Sequence, residues 1–414
     1  MKKTSLLSLA LATTLFGAGY QIPNNSINSV ALSTANVANA NGADAAYFNP
    51  ANMTKNKAEA NQMEVSLTYV GLTPVNYQST SGTTDIDSKK ITSMIPALHF
   101  ASANLANSRD SDVRLGLSLV VPAGLARAWD DMPANATSKK YALQTIELNP
   151  SIGVKVNDKL SFGIGVRYVK GSGEVELDGS RLGASAYTLK MKGDGDGLGM
   201  NFALAYQPSS ALNLSATYRS EVHMTLSGDA DVNMPALVGF GTTAAQSSNV
   251  ALNIPIPANA ILAAAYTFES GTTVEVTFDR TLWSVIQNTN FDFSNPYLQQ
   301  TPLEQPSKKE WRDSDSYRLG LTQKYSHATV MAAVAYNKNP APDQYVSFSS
   351  PETDTLSMSL GGRYAMTDGV ELGLAGLYNK GYERTTTQAS PLGVNGKLSN
   401  KDAYVITAGA TFKF

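Results

Sequence analysis

After residue 60 the chain repeats one pattern many times: apolar residues alternate with polar ones at a period of two. Residues 160–168 alternate large apolar side chains with serine, glycine and arginine, and residues 212–219 and 356–364 repeat the pattern. Successive side chains of a β-strand point to opposite faces, so each run predicts a strand with one apolar face. The pattern therefore predicts an all-β fold.

Counting the alternating runs gives about 14 strands, an even number, as bacterial membrane barrels have. Short turns and long loops alternate between the strands, which is typical of the periplasmic and extracellular ends of such barrels. The predicted strands are residues 62–72, 92–102, 112–121, 145–157, 159–170, 197–207, 211–226, 257–268, 272–284, 315–325, 328–337, 354–365, 369–380 and 402–414. The predicted long loops are residues 73–90, 122–144, 227–256, 285–314 and 381–401.

A soluble β-sandwich would also have strands with one apolar face, but three features favour a transmembrane antiparallel β-barrel. The other faces carry glycine, serine and arginine, as the watery inside of a barrel would. The last strand closes on Phe414, the usual ending of bacterial outer-membrane barrels, and we expect the barrel assembly machinery to bind it. Tyrosines recur at strand ends, where an interfacial aromatic girdle would lie. These tyrosines are Tyr168, Tyr206, Tyr218, Tyr266, Tyr336, Tyr364 and Tyr378.

The N-terminus has the layout of a secretory signal peptide. Lys2 and Lys3 precede an apolar run of residues 6–16, and small residues follow it. Such a run is too short to span a bilayer as a helix, and no stretch of 18 apolar residues comes later. We predict that residues 1–18 are a signal peptide removed by a cut next to Ala18. The mature chain then reaches the bacterial outer membrane, where only a barrel would satisfy its backbone.

Residues 19–60 differ from the rest of the chain, because small residues and asparagine dominate there and no strand alternation occurs. The segment is too polar to form a core of its own, so it is either a disordered leader or a plug. Small side chains suit close packing inside a crowded lumen. We therefore favour an N-terminal hatch of residues 19–60 that plugs a barrel of residues 61–414.

Several motifs together resemble the long-chain fatty-acid transporter (FadL) family. Ala18-Gly19-Tyr20-Gln21, and further along Phe48-Asn49-Pro50-Ala51, look like the N-terminal hatch of that family. Asn-Pro-Ala alone is a weak signal, because it is also an ordinary turn. The order and spacing of further landmarks extend the resemblance over the whole mature chain. These landmarks are Gly193-Asp194-Gly195-Asp196-Gly197, Tyr218-Arg219-Ser220-Glu221-Val222, Asn253-Ile254-Pro255-Ile256-Pro257, Leu282-Trp283-Ser284, Trp311-Arg312-Asp313, Tyr317-Arg318-Leu319-Gly320 and Asn339-Pro340-Ala341-Pro342-Asp343.

The resemblance implies a 14-stranded barrel with a hatch, and diffusive uptake of hydrophobic molecules, either long-chain fatty acids or aromatic hydrocarbons. It further implies capture at extracellular loops, passage by hatch movement and sideways release through a kink in the third strand. The link of residues 171–192 is shorter than in many members, so the capture surface is expected to be reduced. The hatch residues Tyr20, Phe48, Asn49, Pro50 and Ala51 are the candidate ligand-binding residues.

The third strand can be examined for such a kink on its own residues. Its apolar alternation ends at Val120, Val121, Pro122, Ala123 and Gly124. Proline has no N–H for a neighbouring strand, and glycine permits a kinked backbone. Lipid cannot satisfy the groups that a broken ladder leaves unpaired. Either the hatch supplies partners, or the stretch lines a passage, or it simply starts the next loop; the resemblance favours the kink.

Other chemistry is weakly indicated. Two aspartates in residues 194–197 suggest a calcium loop, but the other ligand positions are missing, and we favour a turn. No catalytic triad, paired carboxylates or nucleotide loop stands out, so we predict a chain that is not an enzyme and has no metal or cofactor. The balance of 32 basic to 34 acidic residues does not favour nucleic acid. We expect a monomer.

Two rival functions stay open at this stage: an outer-membrane enzyme, such as a lipid hydrolase, and a nonspecific porin. A hydrolase needs a histidine beside a serine or an aspartate pair near one rim. Four inward arginines could bind a ligand carboxylate, although lumen arginines more often pair with lumen acids. They are Arg167, Arg219, Arg318 and Arg363.

Overall fold

The computed structural model describes residues 19–55, 60–106, 111–234, 245–388, 390 and 392–414. The predicted signal peptide, residues 1–18, lies outside these described residues. Within them, no helix is long and apolar enough to cross a membrane.

Fourteen antiparallel strands form a closed barrel, which confirms the predicted fold class. The first and last strands pair from Gln62 opposite Lys413 to Leu72 opposite Ala403, so these two strands close the sheet into a barrel. Three of the strands are interrupted and resume after a break. The strands are β1 (Gln62–Leu72), β2 (Ile91–Ala101), β3 (Val113–Val120 and Gly124–Ala128), β4 (Lys140–Lys155), β5 (Leu160–Asp178), β6 (Thr188–Tyr206), β7 (Leu212–Arg219 and Thr225–Asn233), β8 (Ala245–Asn253 and Asn259–Thr267), β9 (Thr272–Thr281), β10 (Ser314–Lys324), β11 (Ala328–Asn337), β12 (Thr355–Thr367), β13 (Val370–Gly381) and β14 (Asp402–Lys413).

The faces of the strands show that the barrel is built for lipid. On β1, Val65 and Leu67 are 42% and 44% exposed, whereas Glu64, which points to the opposite face of the same strand, is 1% exposed. A soluble sandwich buries its apolar face, and here the apolar face is the outer one. The prediction of a membrane barrel over a soluble sandwich is therefore confirmed.

Tyrosines mark both ends of the outer surface. Five of the seven predicted girdle tyrosines are exposed on it: Tyr168, Tyr206, Tyr218, Tyr266 and Tyr364. The other two, Tyr336 and Tyr378, are half-buried and donate their hydroxyls to Asp354 at 2.6 Å and Asp402 at 2.7 Å. Phenolic rings with a polar tip suit the membrane–water interface, so these positions delimit the apolar belt.

Several predicted loops contain strand structure above the belt. β5 and β6 continue through the link of residues 171–192 and stand above the membrane as a long hairpin that turns at residues 179–187. Residues 225–233 and 245–253 extend β7 and β8 in the same way. Two other predicted loops, residues 73–90 and 381–401, together form a four-stranded sheet of Asn76–Ser79, Asp85–Asp87, Arg384–Thr386 and Gly396–Ser399.

The predicted turn at residues 194–197 is wrong, because this stretch lies within β6. Its aspartates point outward and its glycines inward. A Cβ on Gly195 or Gly197 would collide with the carbonyl oxygens of Thr225 and His223. Glycine is needed here because the backbone of β7 passes directly over the inner face of β6.

Residues 19–55, which we call the lumen segment, lie inside the barrel and are almost all buried. They form two short helices, α1 (Ile27–Ala31) and α2 (Ala45–Phe48), and a 3₁₀ helix, Pro50–Lys55. α1 packs on β11 to β14, while α2 and the 3₁₀ helix pack on β2 to β6. A further short helix, α3 (Ala134–Ser138), precedes β4 above the membrane belt.

Candidate functional site at a break in the barrel wall

β3 is interrupted at the five residues that the sequence singled out. Val120 pairs with Glu147 of β4, and Gly124 pairs with Gln144, so the register slips by one residue across the break. Val120, Val121, Pro122, Ala123 and Gly124 are all buried. The strand resumes at Gly124, so the stretch interrupts the wall and does not start a loop.

The break also ends the pairing between β2 and β3. β2 pairs with β1 over eleven residues, but with β3 over only four, from Leu98 opposite Leu119 to Ala101 opposite Gly116. β2 and β3 are fully described, and residues 91–97 of β2 have no partner residue on β3. The wall therefore has a gap between these two strands in the extracellular half of the belt.

The first residues of the lumen segment cover the gap from inside; we call residues 19–25 the N-terminal segment. The Ile22 N–H donates to Pro122 O at 2.9 Å, and the Gly124 N–H donates to Tyr20 O at 2.8 Å. Gln21 thus forms an antiparallel bridge with Ala123. A segment of the chain's own interior replaces β2 as the neighbour of the broken strand.

The remaining donors of the break also have partners. The Val121 N–H donates to Asn25 Oδ1 at 3.2 Å, and the Ala123 N–H donates to Thr145 Oγ1 at 3.1 Å. Pro122 has no N–H to satisfy. An unpaired donor in hydrocarbon costs several kcal/mol, so these contacts let the break persist in a membrane.

Apolar side chains line the inner side of the gap. Ile22, Ile95 and Val121 belong to one apolar cluster, and Phe48 and Val120 belong to another. A lining of this kind is typical of sites that hold hydrophobic ligands.

A small cavity of about 60 Å³ lies behind the gap. Tyr47, Phe48 and Pro122 contribute apolar surface to it, and Arg167, Arg219 and Asp279 contribute charge. Ligand sites combine an apolar lining with a few polar groups that fix orientation.

The charges beside the cavity do not balance. Arg167 and Arg219 both pair with Glu147, which is fully buried, so this group of three carries one positive charge in excess. Asp279, the carboxylate that also lines the cavity, is neutralised by Arg318. The Arg219 guanidinium lies 4.0 Å from the centroid of the Tyr47 ring and donates to Tyr47 O at 3.2 Å. The cluster therefore offers a partial match for an anionic head group.

The other two inward arginines are paired with acids. Arg318 pairs with Asp279 at 3.1 Å, and Arg363 pairs with Glu64 and Glu371. Arg363 also donates to Asn28 of the lumen segment at 2.7 Å. Arg318 thus connects two strands, and Arg363 connects strands with the lumen segment, as the more frequent role of lumen arginines predicts.

Residues 26–55, which we call the hatch body, are fixed to the wall. Glu275 of β9 accepts three consecutive backbone N–H groups, from Val37 at 2.7 Å, Ala38 at 2.8 Å and Asn39 at 3.0 Å. On the opposite side the Ile27 N–H donates to Glu64 at 3.2 Å. No such carboxylate clamp holds residues 20–25, among the described contacts.

The structure separates the predicted hatch residues into two groups. Phe48 lies at the gap, beside Val120. Asn49 binds Val37 O at 2.9 Å and Ser215 Oγ at 3.0 Å, so it ties the hatch together and to β7. Pro50 and Ala51 start the 3₁₀ helix against the glycines of β4 and β5, away from the gap.

Tyr20 lies on the extracellular side of the gap, in an aromatic cluster. Its ring packs edge-on against Trp283 at 5.1 Å and near Trp311 at 6.2 Å, and its hydroxyl donates to Pro255 O. Trp129 belongs to the same buried cluster, so all three tryptophans of the chain lie there. Sequence reasoning missed this cluster, because its members come from three separate parts of the chain: the N-terminal segment, the β3–β4 loop and the β9–β10 loop.

The periplasmic side of the hatch body is polar. Two cavities of about 500 and 490 Å³ open there. Asn39, Asn41, Lys55 and Lys324 line both of them. A hydrophobic molecule gains little from such surfaces, so the periplasmic mouth is a poor exit for it.

Comparison with known proteins identifies the relationship. The family described as "Outer membrane protein transport protein (OMPP1/FadL/TodX)" matches residues 8–414. The chain belongs to this family. The resemblance found in the sequence is thereby confirmed, and the protein is an outer-membrane protein, as predicted.

The relatives within the family carry transport names. The long-chain fatty acid transport protein of Escherichia coli O6:H1 is 24% identical over 356 residues, 78% of this chain and 77% of that protein. Outer membrane protein P1 of Haemophilus influenzae is 24% identical over 300 residues, 64% of this chain and 62% of that protein.

Solved structures of the family share the fold. A Pseudomonas aeruginosa FadL homologue superposes with a TM-score of 0.81 at 19% identity, covering 96% of this chain and 100% of its own. The P. putida toluene transporter TodX gives a TM-score of 0.71 at 18% identity, covering 94% and 98%. At these identities the similarity shows a shared fold and does not show which ligand this chain binds.

Proposed function

We propose that this chain is a diffusive outer-membrane uptake channel for hydrophobic small molecules, which leave the lumen sideways through the gap between β2 and β3. Ligand is captured on the extracellular side, reaches the cavity beside Tyr47 and Phe48, and passes the gap when the N-terminal segment withdraws. The observation that carries the proposal is the end of the β2–β3 pairing after four residues, with residues 20–25 in the place of the missing neighbour.

The hatch body and the N-terminal segment are held by different kinds of contact, so one part can stay fixed while the other moves. The hatch body is held by buried carboxylates at Glu275 and Glu64. Residues 21–25 of the N-terminal segment are held mainly by neutral hydrogen bonds to the break, which contribute about 0.5–1.5 kcal/mol each. Gly19 and Tyr20 are held separately, by Glu352 and by the tryptophan cluster. Withdrawal of residues 21–25 is therefore easier than release of the whole plug, and it uncovers the gap directly.

The polarity of the two possible exits supports the sideways route. The inner side of the gap carries aliphatic and aromatic side chains, with charged residues only in the cavity behind it, whereas the periplasmic mouth is lined by asparagine and lysine. A hydrophobic ligand that enters the lipid through the gap never has to be hydrated in the periplasm.

The substrate class follows from the names of relatives only in outline: long-chain fatty acids for one, toluene for another. The excess positive charge at Arg167 and Arg219 favours a ligand with a carboxylate. We therefore place a fatty acid ahead of an aromatic hydrocarbon.

Disulfide locking tests the sideways route, and the chain is suited to it because it contains no cysteine. Gln21 and Ala123 face each other in a bridge pair without mutual hydrogen bonds, where Cα atoms are about 4.5 Å apart, within disulfide range. Oxidised Gln21→Cys/Ala123→Cys should block uptake, and reduction should restore it. Unimpaired uptake by the oxidised pair would contradict release through the gap.

A matched pair locks the hatch body instead. Ser33 Oγ and Ser359 Oγ lie 2.8 Å apart, so Ser33→Cys/Ser359→Cys would tie the hatch body to β12. Uptake should persist in this oxidised pair, because the hatch body does not move in the proposed cycle. A block here would mean that the whole plug is displaced.

The porin alternative is tested by conductance. The lumen segment fills the barrel, so the intact protein should pass small ions poorly, and deletion of residues 19–55 should raise single-channel conductance strongly. High conductance of the intact protein would favour a porin.

The hydrolase alternative has one structural feature to address. His99 Nδ1 lies 2.9 Å from Ser118 Oγ, but both residues are fully buried, and His99 Nε2 lies 2.7 Å from Asn25 O. The histidine thus positions the N-terminal segment. Ester hydrolysis by the purified barrel that is lost in Ser118→Ala would favour the enzyme.

A further inference from the structure

A proline interrupts the row of backbone donors on the edge of β2 that borders the gap. The Ser102 N–H, next to the end of β2, donates to Leu115 O of β3 at 2.8 Å. Successive N–H groups of a strand point to opposite neighbours, and β2 pairs with β1 without a register shift over residues 91–101. Counting back from Ser102 in steps of two, the backbone nitrogens of Leu98 and Pro96 face β3. Pro96 has no N–H to offer there.

The ladder between β2 and β3 ends directly before this proline. Its last pair with nitrogens facing each other is Leu98 opposite Leu119, and the next such pair would be Pro96 opposite Val121. The bond from position 96 to Val121 O cannot form, and the proline ring projects toward β3 in place of the missing hydrogen. Proline inside a sheet is confined to strand edges, and β2 has such an edge only at the gap.

The break in β3 accounts for only one side of the gap. The Leu115 N–H donates to Ser102 Oγ at 2.9 Å, so the odd-numbered residues of β3 face β2. By the same alternation the nitrogen of Pro122 would face β4, where the register slips by one residue. The lost pairing on the β2 side therefore has its own cause, and Pro96 is placed to supply it.

Unequal strand lengths do not separate the two strands. Beyond the gap, on the extracellular side, Ser88 forms an antiparallel bridge with Trp129. Leu98 and Ser88 are ten residues apart in the chain, and so are Leu119 and Trp129. The gap is thus a window bounded at both ends, and neither side has surplus residues that would force it open.

β3 leaves the wall at the level of Pro96. Leu117 and Leu119 are exposed to lipid, whereas Val121, the next residue on that side of the strand, is buried in one apolar cluster with Ile22. The Val121 N–H donates to Asn25 Oδ1 and not to β2. The N-terminal segment therefore takes the place of the pair that Pro96 cannot complete.

We propose that Pro96 is a positioning residue that keeps the wall gap open from the β2 side. When residues 21–25 withdraw, the uncovered groups of β3 would otherwise pair with β2 and close the wall, as neighbouring strand edges do. Without a donor at position 96, and with a ring in the way, the first new pair cannot form. The window then stays open while the ligand passes, an inference that rests on the proposed sideways route.

The test restores the missing N–H with Pro96→Val and follows closure by disulfide formation, since the chain has no cysteine of its own. In the extended ladder Met94 would lie opposite Ala123, with Cα atoms about 5.5 Å apart, within disulfide range. Met94→Cys/Ala123→Cys should oxidise slowly with Pro96 in place. It should oxidise about tenfold faster in the Pro96→Val background, which corresponds to about 1.4 kcal/mol. Uptake of a labelled long-chain fatty acid by Pro96→Val without the cysteines should fall by up to about tenfold.

Pro150→Val is the matched control. Like Pro96, Pro150 lies on the lipid face of a wall strand. The Lys155 N–H points to β3, so by alternation the nitrogen of Pro150 faces β5. There Asn149 Nδ2 already donates to Val166 O at 2.7 Å, away from the gap. Pro150→Val should change neither the oxidation of the test pair nor uptake.

A second cysteine pair checks the reactivity of thiols at this height of the wall. Leu98→Cys/Leu119→Cys replaces the last native pair and should oxidise rapidly with or without Pro96→Val. Pro96→Ala also restores the N–H and should act as Pro96→Val does. Assembly of each variant is checked by the heat-dependent gel mobility of native barrels, and if Pro96→Val does not assemble, Pro96→Ala carries the comparison.

The two measurements separate this inference from the proposed function. An unchanged oxidation rate of the test pair in Pro96→Val and Pro96→Ala would overturn the role of Pro96, whatever happens to uptake. Faster oxidation in Pro96→Val alone would also overturn it, because the side chain and not the N–H would then be responsible. Faster oxidation in both variants with normal uptake would support the role of Pro96 and contradict release through the gap.

Discussion

A Cβ atom placed on Gly163 would lie 2.5 Å from the backbone nitrogen of Ala51. The inner face of β5 and the start of the 3₁₀ helix are therefore in direct backbone contact. Backbone cannot rotate away as a flexible side chain can, so the contact fixes where the hatch body sits.

Gly163→Ala should consequently unseat the hatch body. Overpacking of a close contact costs about 1–3 kcal/mol. We expect a rise in ion conductance in planar bilayers, with the barrel still assembled. Gly376→Ala is the control, because a Cβ there would lie at an ordinary 3.8 Å from Val405 O. Equal conductance of the two variants would show that the seat does not depend on this contact.

Glu275→Gln should loosen the loop of the hatch that Glu275 holds. The amide oxygen can still accept from Val37 and Ala38, but the NH₂ group would face the Asn39 N–H, donor against donor. An unsatisfied buried donor costs about 1–3 kcal/mol. Amide hydrogen exchange at residues 37–39 should therefore accelerate.

The control for this substitution is Glu269→Gln, an exposed residue in the turn before β9. Amide hydrogen exchange at residues 37–39 should be the same in Glu269→Gln as in the wild type. If Glu275→Gln also leaves exchange unchanged, the hatch is held by its packing and not by this carboxylate.

The strands could be predicted from sequence because alternation is a local property. Each wall strand faces lipid on one side and the lumen on the other, so Leu160 to Tyr168 carry the signal themselves. Above the belt both faces of β5 and β6 meet water or protein, and the alternation fades. The sequence therefore predicts a link where the structure has a hairpin, whose first strand continues to Asp178 and whose second strand starts at Thr188.

The break in β3 was visible because Pro122 and Gly124 disturb a strand by their own chemistry. The hydrogen-bond partners of the break could not be predicted, since Tyr20, Asn25 and Thr145 come from other parts of the chain. The ion pairs of Glu147 could have been predicted, because Glu147 is an acid at an inward position of β4 and later strands carry inward arginines.

Gly124→Phe should abolish uptake while surface binding and barrel assembly persist. Gly124 is buried where the N-terminal segment meets the break, and its N–H holds Tyr20 O. A phenyl group there would fill the gap through which ligand is proposed to leave. Uptake and surface binding of a labelled fatty acid are measured separately on whole cells.

Leu117→Phe is the control on the same strand, because Leu117 faces lipid and is 37% exposed. It should transport normally. Normal uptake by a correctly assembled Gly124→Phe barrel would mean that ligand takes another route, most simply down through a displaced hatch.

Arg219→Gln should distinguish the two ligand classes. The substitution leaves Glu147 paired with Arg167 alone and removes the excess positive charge beside Tyr47. A carboxylate ligand would lose a charge-assisted hydrogen bond, whereas a neutral hydrocarbon would lose none. Uptake of a long-chain fatty acid should fall roughly tenfold, which corresponds to about 1.4 kcal/mol, and uptake of toluene should not change.

Two further variants make the result specific. Arg219→Lys keeps the charge and should retain most fatty-acid uptake, while Arg280→Gln removes an exposed arginine at the extracellular rim and should have no effect. If Arg219→Gln lowers uptake of both ligands equally, the arginine acts by holding the Tyr47 ring in place. The excess charge would then say nothing about the head group, and the preference for a fatty acid over a hydrocarbon would lose its support.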